Sequence, residues 1–87
     1  MLCRYEFQLS AVCPVDQSAD HYAVTVSTSH EIRVEKLLAF ALTFRLVAAT
    51  QEVITEQFAA AFPGATVSTV GYHSGVRTTV CAGQSSE

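Results

Sequence analysis

Arg4-Tyr5-Glu6-Phe7-Gln8-Leu9-Ser10-Ala11 alternates strictly, with Tyr5, Phe7, Leu9 and Ala11 on one side and Arg4, Glu6, Gln8 and Ser10 on the other. Successive side chains of an extended chain point to opposite faces, so this is the pattern of a strand with one buried and one solvated face. Downstream, Tyr22, Val24 and Val26 alternate with His21, Ala23, Thr25 and Ser27, and the β-branched content suits a second strand on the same sheet. Between the two lies the polar stretch Cys13-Pro14-Val15-Asp16-Gln17-Ser18-Ala19-Asp20, across which the strands are expected to pair antiparallel.

From Arg33 the period becomes helical, with Val34, Leu37, Leu38, Ala41 and Phe44 recurring at spacings of three and four. Neither Gly nor Pro interrupts residues 33–62, so a single long helix is allowed, and the cluster Val47-Ala48-Ala49-Thr50 is where a break is expected. Thr50 then N-caps a second helix that turns Val53, Ile54, Phe58, Ala61 and Phe62 inward, and Pro63-Gly64 ends it. Two further β-like runs, residues 66–72 and 76–81, flank His73-Ser74-Gly75, whose glycine suits a hairpin turn. The expected class is α+β in the order ββααββ: a four-stranded antiparallel sheet with two helices on one face. It forms a single domain over residues 1–87, with its core in 4–82 and a frayed tail at 83–87.

Composition narrows the function classes. A chain of 87 residues is near the size at which one core becomes marginal, and it is 49% apolar with only 15% charged residues. Both features point to a homo-oligomer that covers the second sheet face and the sheet edges. The net charge of −3, with Arg4, Arg33, Lys36, Arg45 and Arg77 scattered, supplies no basic footprint for a nucleic acid, so a small ligand is the expected partner. Cys3, Cys13 and Cys81 are odd in number and lack metal-ligand spacing, which fits a reducing cytoplasm better than a disulfide framework or a zinc site. No signal peptide and no apolar run of about 20 residues is present, so a cytoplasmic protein without a membrane partner is expected.

The candidate chemistry lies in the first loop. Cys13 and Asp20 place a thiol and a carboxyl group seven positions apart, a nucleophile and a group able to manage the proton that moves when it adds. The plainer alternative is that Cys13 is a small hydrophobe, the ordinary fate of a free cysteine. His21, His30 and His73 are too dispersed to argue for a metal and receive no role. Tyr22 fits core packing better than stacking on a ligand, and Arg45 suits a subunit salt bridge as well as a ligand.

The pattern Val12-Cys13-Pro14 followed by Asp20, together with Phe44-Arg45 and Glu52, resembles the QueF family, whose members share the tunnelling fold and act on the nitrile of 7-cyano-7-deazaguanine. The resemblance runs from Tyr5 to Ala82, and its specific anchors are Cys13, Pro14, Asp20, Phe44, Arg45 and Glu52. It implies a ring-forming oligomer that binds its ligand between subunits. It also implies that Cys13 adds to the nitrile as a thiolate to give a thioimide, and that Asp20 supplies a proton to the nitrogen, which requires an environment that keeps its carboxyl protonated.

Glu52 is implied as the residue whose two oxygens accept from the N1–H and exocyclic amine of a guanine-like edge. Its position near a helix start is also the ordinary place for a glutamate. Gln51 stands where the family has histidine. It is a second substrate-binding candidate, for which exposure to solvent is the default expectation.

Two departures direct the chemistry. Where the NADPH-dependent reductases carry a Glu-x-Lys-x-x-Lys signature, this chain reads Arg33-Val34-Glu35-Lys36-Leu37-Leu38, with Glu35 and Leu38 at the lysine positions. The compact length and the segment at residues 34–37 look closer to the QueF-like amidinotransferases, which form archaeosine by adding ammonia. Ammonia addition without a cofactor is therefore the first expectation. NADPH-dependent nitrile reduction is the alternative, and a non-catalytic purine- or pterin-binding module is a third. The substrate is expected as a small 7-deazaguanine, free or as a nucleoside, with a base inside a nucleic acid left open.

Overall fold

The computed structural model describes residues 1–83, and within them the order ββααββ is found: β1 Cys3–Val12, β2 Ala19–Thr28, α1 Val34–Leu42, α2 Gln51–Ala61, β3 Thr66–His73 and β4 Val76–Gly83. The strands form one antiparallel sheet in the order β1-β2-β3-β4. Gly83, assigned from the sequence to a frayed tail, is the last residue of β4 and pairs with Thr66; the rest of that tail, 84–87, lies outside the described residues. Among the described residues no helix is long and apolar enough to cross a membrane.

Register carries the alternation across the sheet. Tyr5 lies opposite Val26, Phe7 opposite Val24 and Leu9 opposite Tyr22, so the apolar positions of β1 and β2 share the face that the helices cover. On β3 the same face continues through Val67 and Thr69. Ser74 and Gly75, at φ 53° and 83°, turn the chain between β3 and β4 with both central residues left-handed, the two-residue geometry that matches strand twist.

Leu9, Val24, Val26, Leu37, Phe44, Ile54, Phe58 and Val67 are buried between sheet and helices. Phe58 is the hub: its ring centroid lies 4.8 Å from Phe40 edge-on, 5.8 Å from Phe7 and 6.0 Å from Phe44 in a stacked pair. The expected helical stripes are narrower than the spacing suggested. Leu37, Ala41 and Phe44 are buried, but Val34 and Leu38 are 50% and 45% exposed. On α2, Ile54 and Phe58 are buried while Val53 and Ala61 face solvent, and Phe62, just past the last turn, is half-buried.

The segment between the helices differs most from expectation, and it positions the site. α1 stops at Leu42 rather than near Val47, because Thr43 Oγ1 donates to the Phe40 carbonyl at 2.6 Å and the following amides fold into tight turns. Those turns bury Phe44 against Phe58 and then release the chain to meet β1. Val12 N–H donates to Val47 O at 3.1 Å and Ala49 N–H to Val12 O at 3.2 Å, making a short parallel bridge between Val12 and Ala48. The start of α2 is thereby tied to the residue that precedes Cys13.

Candidate active site

Cys13, Pro14, Val15, Asp20, Tyr22, Thr50, Gln51, Glu52 and His73 line one open cavity of about 280 Å³ at the end of the sheet where β1 and β2 meet the start of α2. The structure thus brings together all four residues singled out in the sequence, Cys13, Asp20, Gln51 and Glu52. The volume is at the lower end for small-molecule sites and suits one planar ring system. Phe44 and Arg45 are not part of it: Phe44 is core, and Arg45 lines a separate groove with Leu38, Leu42 and Ser10.

The loop from Cys13 to Ser18 is short and self-tied. Cys13 N–H donates to Ser18 O at 2.7 Å and Gln17 N–H to Cys13 O at 2.9 Å, with Gln17 left-handed at φ 66°. Asp16 Oδ1 accepts from the Ser18 hydroxyl at 2.7 Å and the Ser18 amide at 3.0 Å. These bonds, the hydroxyl first and then the amide, hold the Asp16 carboxyl below its usual range, and the Cys13 thiol adds a smaller contribution in the same direction. Asp16, which sequence reasoning passed over, is thus the acidic group nearest the candidate nucleophile in the chain. Cys13 itself is a half-buried free thiol. Cys81 is exposed and pairs in register with Ser68, on the sheet face away from the helices, so it lies apart from this cavity.

Asp20 enters from β2, opposite Ala11 in register and on the helix-covered face, where it is half-buried. Its Oδ2 accepts the Tyr22 hydroxyl at 3.2 Å. Burial, followed by the Asp20 charge, pushes the Tyr22 phenol far above its ordinary pKa, with smaller contributions from Cys13 and Glu52. The phenol is therefore a neutral donor, and Asp20, Cys13 and Glu52 all lie within electrostatic reach of its oxygen. Tyr22 is core, as expected, but its polar end belongs to the site.

Gly71 makes this arrangement possible. A Cβ built there would lie 2.5 Å from Tyr22 Cδ1 and 2.6 Å from Cε1, so only glycine lets the ring lie across β3.

Thr50 caps α2, its Oγ1 accepting from Val53 N–H at 3.3 Å, and this sets Gln51 and Glu52 in the first turn. Glu52 is exposed on the rim of the cavity.

Gln51 corrects the sequence reading. It is 2% exposed rather than solvated, because acceptors of the sheet beneath it take both hydrogens of its amide: Nε2 donates one to Thr78 O at 3.0 Å and the other to Thr69, whose O and Oγ1 share it at 3.1 Å each. Thr55 Oγ1 donates to Gln51 O at 2.7 Å, which leaves the Thr69 hydroxyl to donate to Thr55 Oγ1, also at 2.7 Å. Every polar group of this buried cluster is thereby satisfied.

With its NH₂ held by two carbonyls, Gln51 directs Oε1 at His73 Nε2, 2.8 Å away. His73, given no role from sequence, reaches the cavity because β3 alternation puts it on the same face as Thr69 and Gly71. Its ring lies 6.0 Å from that of Tyr22. The period-two pattern running back from His73 to Val67 was the available signal. His21 is elsewhere: it bonds Ser10 on the uncovered sheet face.

Two comparisons return nothing: no protein-family model matches the chain, and no curated protein matches its sequence. Among solved structures, the archaeosine synthase QueF-Like in its apo form is similar with a TM-score of 0.82 at 20% identity, over 93% of this chain and 90% of that one. At that identity the likeness is one of fold, and the tunnelling-fold architecture expected from the resemblance is the one found.

Proposed function

We propose that this chain is a QueF-like enzyme that converts the nitrile of 7-cyano-7-deazaguanine to an amidine by adding ammonia. The observation that carries the reading is the convergence of Cys13, Asp20 and Glu52 from three elements on one cavity. The fold shared with an archaeosine synthase QueF-Like supports it further.

In this reading Glu52 holds the guanine-like edge, its two oxygens accepting from N1–H and one hydrogen of the exocyclic amine. The Cys13 thiolate attacks the nitrile carbon. A carbon–sulfur bond forms, one carbon–nitrogen π bond breaks, and Asp20 delivers a proton to the nitrogen, giving a thioimide. Ammonia then bonds to the same carbon, the carbon–sulfur bond breaks, and Cys13 leaves as thiolate while Asp20 recovers its proton. The net change is addition of NH₃ across the nitrile, with no electrons gained or lost.

The substrate in this reading is a small molecule, because a net charge of −3 with scattered basic residues offers little hold on phosphates. The working unit is a closed homo-oligomer. Among the described residues β4 has no outer partner and β1 has only the Ala48 bridge at its end, and the sheet face bearing Glu6, Thr25 and Ser68 is uncovered by the helices.

The test is to form the Cys13 adduct, divide it, and give ammonium chloride to one half and NADPH to the other. Amidine in the ammonium half and an unchanged adduct with NADPH is the expected result. Aminomethyl product with NADPH and no reaction with ammonium would replace this reading with a nitrile reductase.

A further inference from the structure

Position 51 carries glutamine, and an imidazole from another element, that of His73, meets its amide oxygen at 2.8 Å. The tautomer of the neutral imidazole follows from its surroundings. Gln51 must present its NH₂ to Thr69 O and Thr78 O, because carbonyls only accept, so Gln51 Oε1 is fixed as an acceptor facing His73 Nε2 at 2.8 Å. Nε2 therefore carries the hydrogen. In the neutral ring Nδ1 is then a lone-pair acceptor, and the ring lines the same cavity as Glu52 and Cys13. The buried threonine network behind Gln51 holds this tautomer, since rotating the amide by half a turn would set Oε1 against two carbonyl oxygens.

A guanine-like edge offers three hydrogens: one on N1 and two on the exocyclic amine. Glu52, as a bidentate acceptor, takes N1–H and one amine hydrogen, which leaves the second amine hydrogen needing an acceptor. We propose that His73 is a specificity-determining residue of the site, its Gln51-held imidazole accepting that second amine hydrogen through Nδ1. This rests on the functional reading above and extends it, because it makes the amine itself, rather than ring shape, what the cavity selects. A site that spends two acceptors on one amine leaves both unpaired when the amine is missing, and discrimination of that kind is larger than shape alone provides.

The test compares adduct formation on 7-cyano-7-deazaguanine with that on its analogue lacking the exocyclic amine, in wild type, His73→Ala and His73→Gln. Wild type is expected to prefer the amine-bearing nitrile. His73→Ala should reduce the preference about tenfold, the scale of one lost hydrogen bond, and His73→Gln, which keeps an amide donor for Gln51 and an acceptor oxygen, should restore part of it. His73 is exposed, so water can replace it at Gln51 Oε1 and the variant folds; an unchanged thermal midpoint confirms this. A folded His73→Ala protein with the wild-type preference would overturn the proposal and leave the functional reading standing. A wild type that forms an adduct with neither nitrile would overturn both.

Discussion

Gln51 Oε1 and His73 Nε2 lie 2.8 Å apart, joining the first turn of α2 to the end of β3 directly beneath the candidate nucleophile's cavity. The pair links the packed interior to the site, because the same glutamine anchors to Thr69 and Thr78.

Gln51→Leu keeps the volume and removes the amide. Thr69 O and Thr78 O lose a shared donor in a largely dry setting, so we expect a loss of about 2 kcal/mol in urea unfolding. A variant within about 0.5 kcal/mol of wild type would mean that water reaches these carbonyls.

Gly71→Ala tests the close passage of Tyr22 over β3. The added methyl group would meet the aromatic ring at 2.5 Å, and a ring packed on the core side has little room to withdraw. We expect a loss of about 1–3 kcal/mol and a displaced Tyr22 signal in NMR, because overpacking is met by shifts of ring or backbone. An unshifted Tyr22 at full stability would show that the ring is not confined.

The Cys13 loop should respond to acid through Asp16. Its carboxyl is held below the usual range by Ser18, so the folded loop is favoured while Asp16 is ionised. That contribution is present above the unfolded carboxylate range and disappears as pH falls through the lower folded value. The Ser18 amide resonance should follow this titration, and Asp16→Asn should abolish the response. A Ser18 amide that moves identically in the variant would assign the titration elsewhere.

Much of this fold is legible locally. The alternation of Tyr5, Phe7 and Leu9, the Thr50 cap, the Pro63-Gly64 stop and the turn before Val76 are all patterns of neighbouring residues, and each element formed where its pattern lay. The site was half legible for the same reason. Cys13 and Asp20 share a loop and its adjoining strand, whereas the bridge from Val12 to Ala48, the burial of Gln51 under Thr69 and the arrival of His73 depend on partners 18 to 36 positions away. Spacing along the chain does not encode such contacts. Val34 and Leu38 show the converse: their helical period marked them as core, but the helix turns them onto its open flank.

The central claim is that Cys13 attacks a nitrile carbon, and intact mass of the protein after mixing with 7-cyano-7-deazaguanine tests it most directly. The account predicts that wild type gains the mass of one substrate molecule, that peptide mapping places it on Cys13, and that Cys13→Ala gains nothing. An adduct on Cys3 or Cys81, or an equal gain in Cys13→Ala, would contradict it.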